Sequence, residues 1–133
     1  GRVDVVGVDQ LEAHAATRVI VRDPHGSDAD FFHLAHKLGL SGVSYSIGYT
    51  AWLDIAPEGV NKATGLASVA ERLHLHPADV LAIGDGRNDI EMLAWAGRGV
   101  TFADAPPEVR AVADAVAAPF ADGGTAAELR RWF

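Results

Sequence analysis

One stretch constrains the fold more than any other part of the sequence: Val80-Leu81-Ala82-Ile83-Gly84-Asp85-Gly86-Arg87-Asn88-Asp89-Ile90-Glu91-Met92-Leu93. Four apolar residues lead directly into a glycine, an acidic turn follows, and then a helical pattern begins. This order is typical of a buried parallel strand, a sharp turn and a helix N-terminus. Because ligands of open α/β sheets bind just beyond the carboxyl ends of the strands, the turn is a candidate site.

The rest of the chain predicts two regions of different architecture. Residues 1–56 show the order strand, helix, strand, strand, with a turn at Gly48-Tyr49-Thr50, which indicates a small α+β layer. In residues 57–133 helices and strands alternate, beginning with a helix that Asn61 can cap. Repeated β-then-α order predicts a parallel sheet with right-handed crossovers, so the expected fold class is α/β.

Composition excludes several classes of function. The net charge of −7 argues against a sequence-independent nucleic-acid binder, which needs a basic face, and against binding to anionic membranes. No run of apolar residues approaches the length that a helix needs to span a membrane. The chain has no cysteine, which excludes disulfides and thiolate chemistry and is compatible with a cytoplasmic location.

The acidic turn carries the candidate metal ligands. Asp85 and Asp89 lie four residues apart, close enough along the chain to face one cation at a helix start. Mg²⁺ takes few protein carboxylates and keeps water and phosphate oxygens, so one or two acids are enough. Helix capping is an equally strong interpretation, because aspartate stabilises a helix start and Asn88 with Glu91 fits a capping box. A second capping box, Thr125 with Glu128, is predicted for the last helix.

Lys62 lies at a loop-to-helix junction after Gly59-Val60-Asn61. A lysine in that place can put a point charge on a phosphate group. Taken alone, it fits a solvated surface lysine better, because most lysines are exposed.

Two segments together resemble the haloacid dehalogenase (HAD) superfamily: Gly59-Val60-Asn61-Lys62-Ala63-Thr64-Gly65-Leu66 and the stretch from Val80 to Leu93. Within it, the chain is similar to Cof-type phosphatases with a C2 cap. The first segment looks like the family's lysine motif and the second like its acidic metal motif. Residues 1–56 look like the second half of the α+β cap, and residues 57–133 like the C-terminal part of the Rossmann-like core.

The resemblance implies Mg²⁺-dependent hydrolysis of a small phosphorylated metabolite, such as a sugar phosphate, through an aspartyl-phosphate. It implies that Asp85 is a metal ligand and that Asp89 orients the site or reaches the metal through water. It assigns Asn88 to the phosphoryl group. Lys62 would neutralise the nucleophile and the transferring phosphate, in agreement with the need of phosphoryl transfer for charge neutralisation.

The sequence departs from the family at the nucleophile. Members carry Asp-x-Asp-Gly-Thr at the end of their first strand, and this chain has no such motif. Asp28-Ala29-Asp30 has the acid spacing but lacks an apolar strand before it and Gly-Thr after it. Where most members have Met and Asn in the next loop, this chain has Phe102 and Asp104. The chain thus looks like the C-terminal half of a phosphatase, and alone it is expected to be inactive.

The sequence leads to one further expectation, about the sheet edge, and leaves two alternative functions to consider. The strand Val80 to Ile83 would have an open edge, which another copy of the chain or a separate N-terminal half would cover. A non-catalytic binding or interaction remnant of the fold stays open as an alternative function. A receiver-like or nucleotide-binding domain is a third interpretation, against which there is no Walker motif and no Gly-x-Gly-x-x-Gly fingerprint.

Overall fold

The structure is a computed structural model that describes residues 4–11, 13–38, 43–48 and 52–133. The chain divides into two compact units, residues 1–58 and 59–133. The identification of the two predicted regions with a cap and a core domain stays a prediction. Within the described ranges, no helix is both long and apolar enough to cross a membrane.

The first unit is a helix-covered antiparallel sheet. Its elements are α1 (Val8–Leu11), β1 (Val19–Arg22), α2 (Asp28–Leu38), β2 (Val43–Gly48) and β3 (Trp52–Pro57). The strand order is β1-β3-β2, so β3 is the central strand. The order strand, helix, strand, strand agrees with the sequence prediction, and α1 was not predicted. The predicted turn at Tyr49 and Thr50 lies outside the described residues.

Three buried side chains hold α2 against this sheet. Phe31 and Ala35 lie one helical turn apart on α2 and pack with Leu53 of β3 in one apolar cluster. The helix begins with a reciprocal pair: the Ser27 hydroxyl accepts from the Asp30 N–H, and the Asp30 carboxylate accepts from the Ser27 N–H. These two bonds satisfy N–H groups that have no partner inside the helix.

The second unit contains a parallel sheet with helices. Its elements are α3 (Lys62–Arg72), β4 (Leu81–Ile83), α4 (Ile90–Trp95), β5 (Arg98–Phe102), α5 (Pro107–Val112), β6 (Ala115–Ala117) and α6 (Gly124–Leu129), with 3₁₀ turns at Pro77–Asp79, Arg87–Asp89 and Phe120–Asp122. The strand order is β4-β5-β6 and both pairings are parallel. The predicted parallel α/β fold class is therefore confirmed.

The helix α3 begins where the sequence predicted. The Asn61 side chain accepts from the Thr64 N–H at 2.9 Å, and the Thr64 hydroxyl accepts from the Asn61 N–H at 3.1 Å. Such a cap contributes about 1 kcal/mol to helix stability. It also fixes the orientation of the first helical residue, Lys62.

The core of the second unit surrounds the middle strand. Val100 and Thr101 of β5 are fully buried, as are Leu93 of α4 and Val109 of α5. Apolar side chains from β4, α4 and α5 form one cluster. Among the described residues, the Thr101 hydroxyl has no hydrogen-bond partner, which is costly for a buried polar group.

Both predicted capping boxes are wrong. The helix after β4 begins at Ile90, so Asn88 and Glu91 do not stand at capping positions, and the Asp89 carboxylate takes the loop N–H groups instead. The helix α6 begins after Gly123, whose φ of 77° is left-handed, and it has no side-chain cap. The Glu128 side chain does not reach back to the helix start because Arg98 binds it.

Glu128 has a buried side chain at the centre of a polar cluster between α6 and the start of β5. Its Oε1 accepts from Arg98 Nε at 2.7 Å and from Trp132 Nε1 at 3.2 Å, and Arg131 approaches Oε2. The Arg98 guanidinium also lies 5.8 Å from the centre of the Trp132 ring. These contacts lower the pKa of Glu128, with the hydrogen bond from Arg98 as the largest cause.

Candidate active site

The candidate site is a cleft at the carboxyl ends of the parallel strands. Its volume is about 580 Å³, and its lining comes entirely from the second unit: Lys62, Ile83, Gly84, Asp85, Asp89, Met92, Phe102, Phe120 and Thr125. Ile83 and Phe102 are the last residues of β4 and β5. The cleft thus occupies the place where open α/β sheets bind their ligands.

A buried carboxylate organises the charged side of the cleft. Asp89 is 3% exposed at its side chain, and its Oδ1 forms an ion pair with Lys62 Nζ. Its Oδ2 accepts from the backbone N–H groups of Asp85 at 3.0 Å and Gly86 at 2.9 Å. A buried charge is tolerated only when it is paired and hydrogen-bonded, and both oxygens of Asp89 satisfy that condition.

Lys62 and Asp89 come from different elements, 27 positions apart in the chain. The Asn61 cap places Lys62 in the first turn of α3, and the 3₁₀ turn Arg87–Asp89 presents the carboxylate. The Lys62 side chain remains 49% exposed although its ammonium is paired with Asp89. A half-exposed lysine that lines a cleft is available to an anionic ligand.

Gly84 is required by close packing at the end of β4. A Cβ at this position would lie 2.6 Å from the Asp89 Cβ and 2.7 Å from its carboxyl carbon. No real Cβ atom makes such contacts, so any larger residue would displace Asp89. The glycine after the strand therefore makes room for the carboxylate.

Asp85 and Asp89 differ in their environment. The Asp85 side chain is exposed at the cleft, whereas both Asp89 oxygens already have partners. Among the described residues, no group of three or more His, Cys, Asp or Glu side chains could hold a metal. The donor set still fits Mg²⁺, which needs one or two carboxylates and takes its other ligands from water and phosphate. Of the two carboxylates, Asp85 is the better placed for direct ligation.

Asn88 is exposed in the 3₁₀ turn and does not line the cleft. Its Oδ1 lies against Gly86, where an added Cβ would come within 2.7 Å of it. The structure thus brings together Lys62, Asp85 and Asp89 and leaves Asn88 beside them. Its predicted contact with a phosphoryl group stays a prediction.

Two aromatic side chains also line the cleft. Phe102 is buried at the end of β5, and Phe120, 72% exposed, follows β6. Their ring centres are 6.3 Å apart and the rings are nearly perpendicular, at 87°. Thr125 of α6 also lines the cleft. Phe120 and Thr125 were not predicted as site residues, because Thr125 was interpreted as a helix cap and Phe120 lies outside the motifs identified in the sequence.

Two arginines form hydrogen bonds with residues near the cleft. Arg87 pairs with Glu108 at the start of α5. The pKa of Glu108 is lowered, first by its own backbone N–H and then by Arg87. Arg110 donates to the carbonyls of Ala103 and Ala105, so the loop after β5 is held to α5. These bonds lie at the edge of the site and reduce the freedom of its loops.

Comparisons with known proteins place the chain in a family. The phosphoglycolate phosphatase of Methanococcoides burtonii is 34% identical over 122 residues, which cover 90% of this chain and 51% of that enzyme. The solved structure of BT1666 from Bacteroides thetaiotaomicron, a HAD phosphatase, is 30% identical with a TM-score of 0.77. The sugar phosphatase BT4131 is 21% identical with a TM-score of 0.82, a likeness of fold.

The chain spans about half the length of these relatives, covering 46% of BT1666 and 49% of BT4131. Residues 7–129 match the profile of a single family across both units. The chain therefore belongs to the haloacid dehalogenase-like hydrolase family.

Proposed function

We propose that the whole protein carrying this chain is a Mg²⁺-dependent phosphatase acting on a small phosphorylated metabolite, such as a sugar phosphate. One observation supports this most strongly: Lys62 is paired with the buried Asp89 at the end of β4, beside the exposed Asp85. Cation and carboxylates thus share one cleft at the ligand-binding edge of a parallel sheet. Phosphoryl transfer needs this combination of charge neutralisation and fixed positions.

Each residue has a distinct proposed role. Lys62 neutralises charge on the transferring phosphate, and Asp89 positions Lys62 and the loop amides that it binds. Asn88 contacts the phosphoryl oxygens from the same turn. Asp85 is the direct metal ligand, and Asp89 orients the site or reaches the metal through water.

Mg²⁺, when bound, would supply further neutralisation of phosphate charge. The proposed reaction proceeds through an aspartyl-phosphate. A carboxylate oxygen attacks phosphorus, the ester oxygen leaves with a proton as the alcohol, and water then cleaves the acyl phosphate to phosphate and the free acid. These 133 residues contain no Asp-x-Asp-Gly-Thr motif to supply the nucleophilic aspartate, so the isolated chain is proposed to be inactive.

We further propose a cytoplasmic location, with no nucleic-acid or membrane partner. The proposed partner, another copy of the chain or an N-terminal half, would cover the edge of β4. A non-catalytic binding module is the alternative, since such a module needs no Asp-x-Asp-Gly-Thr motif.

The test is hydrolysis of p-nitrophenyl phosphate by the natural polypeptide that carries this chain, with and without Mg²⁺. Lys62→Met and Asp85→Asn should each lower kcat by about 10²- to 10³-fold. Lys37 is the other lysine of the chain and lies on α2, so Lys37→Met is the matched control and should retain activity.

Two outcomes would contradict the proposals. An inactive natural polypeptide that still binds phosphate would favour the binding module. Mg²⁺-dependent turnover by the 133-residue chain alone, lost on Asp85→Asn, would overturn its proposed inactivity.

A further inference from the structure

We propose that Phe120 is a specificity-determining residue, which packs against a ring in the organic part of the phosphate ester. This inference rests on the proposed function and narrows its substrate class to ring-bearing phosphate monoesters. The ring would be an aromatic system or the CH face of a sugar, because both pack on an aromatic side chain.

The lining of the cleft combines charged and aromatic side chains. Lys62, Asp85 and Asp89 are its charged residues. Phe102 and Phe120 supply its aromatic surface. A phosphate monoester has the same combination, with charge at one end and an organic group at the other. With its phosphate at Lys62, such a ligand would have its organic group in a cleft that the two aromatic side chains also line.

The size of the cleft agrees with a ligand larger than phosphate. Its volume of about 580 Å³ lies within the range of clefts that bind organic small molecules. A bare phosphate ion occupies only a small part of such a space, so most of the cleft is left for the rest of the ligand.

Phe120 is held in place without being covered. Its ring packs edge-to-face on the buried Phe102, and its carbonyl accepts from the Gly123 N–H at 3.0 Å in a 3₁₀ turn. The side chain nevertheless remains 72% exposed. A fixed and exposed ring loses little conformational freedom when a ligand packs on it, which favours binding.

The test compares two ligands on four proteins. Hydrolysis of phenyl phosphate and its inhibition by inorganic phosphate are measured, in Mg²⁺, for the natural polypeptide that carries this chain and for its Phe120→Ala, Phe120→Leu and Phe133→Ala variants. Phe120→Ala should raise the KM for phenyl phosphate about tenfold and leave the inhibition constant of inorganic phosphate within about twofold. The KM of Phe120→Leu should fall between those of wild type and Phe120→Ala. Phe133 is fully exposed and does not line the cleft, so Phe133→Ala should change neither constant.

The outcomes separate this inference from the function on which it rests. An unchanged ratio of the phenyl phosphate KM to the phosphate inhibition constant in Phe120→Ala overturns the inference and leaves the proposed function standing. Loss of affinity for both ligands in that variant also overturns the inference, because it indicates a structural role. If the wild-type polypeptide does not hydrolyse phenyl phosphate, the proposed function fails, and the inference fails with it.

Discussion

At the scale of single residues, the contact between Gly84 and Asp89 decides whether the site can form. The buried carboxylate occupies the space that a side chain at position 84 would need. The helix α3 contains a glycine in the opposite situation, because a Cβ on Gly65 would meet no atom within 4 Å. Substitution of Gly65 is therefore the matched control for substitution of Gly84.

Gly84→Ala should lower the free energy of unfolding by about 1–3 kcal/mol, because the added methyl group overpacks against Asp89. Gly65→Ala should raise it by about 0.5–1 kcal/mol, because alanine loses less backbone entropy in a helix. Urea unfolding followed by circular dichroism measures both. Equal effects of the two substitutions would contradict the assigned packing of Gly84.

Thr101 gives a second prediction at this scale. Its hydroxyl is buried without a partner among the described residues, and valine has nearly the same shape. Thr101→Val should therefore raise the free energy of unfolding by about 1 kcal/mol. The Thr64 hydroxyl is hydrogen-bonded in the cap of α3, so Thr64→Val should lower the free energy of unfolding by about 1 kcal/mol. A loss of stability in Thr101→Val would mean that the hydroxyl has a partner.

At the scale of elements, the Glu128 cluster joins α6 to the start of β5. The pKa of Glu128 is lowered, chiefly by the Arg98 hydrogen bond, so its ionised form favours the folded state. This stabilisation is present above the ordinary glutamate pKa of about 4.3, and it is lost as pH falls through the lower pKa of the folded protein. Glu128→Gln should therefore be less stable than wild type at neutral pH, and the difference should shrink in acid.

Urea midpoints measured from neutral pH to below about pH 4 would reveal that convergence. Glu108→Gln is the comparison, because Glu108 also has a lowered pKa but pairs with Arg87 in solvent. Solvent and salt screen that pair, so the substitution of Glu108 should matter less, and the part of its effect that comes from Arg87 should shrink at high ionic strength. A constant difference between Glu128→Gln and wild type at every pH would contradict the assigned cluster.

The sequence predicted the elements better than it predicted their side-chain partners. The strand expected at residues 80–83 is observed at Leu81–Ile83, and Asn61 caps α3 as expected, because apolar runs and caps are local signals. The Thr125–Glu128 capping box satisfied a local pattern too, but Arg98, distant in sequence, binds the carboxylate. Tertiary packing outweighed the local preference.

The same distinction applies to the candidate site. Lys62, Asp85 and Asp89 were identifiable from motifs, but the direct pairing of Lys62 with Asp89 depends on how α3 packs near the turn after β4. Phe120 had no sequence signal. An aromatic residue after a short strand becomes a cleft wall only because β6 lies next to β5 in the sheet.

At the scale of the whole molecule, β4 is an outer strand of its sheet. Within the described part of the chain it pairs with β5 on one side only. Ala82 is buried, so β4 combines an apolar strand with an unpaired edge. Edges of this kind associate with other strands unless something covers them.

The isolated chain should therefore self-associate as its concentration rises from micromolar to millimolar. Sedimentation velocity measures this directly. Leu81→Lys places a charge on the outer strand and should shift the equilibrium toward monomer, whereas Leu129→Lys on α6 should not. A chain that stays monomeric and stable throughout that range would count against an edge that needs a partner.

Met92 is the sole methionine of the chain and lies in the lining of the cleft. Its terminal methyl group, labelled with ¹³C, would therefore give a single signal in a methyl NMR spectrum. That signal would need no assignment experiment, and it would report directly whether magnesium, phosphate or an ester occupies the cleft. The chain thus contains a natural spectroscopic reporter at its candidate site, and titrations of many compounds could be followed through one resonance.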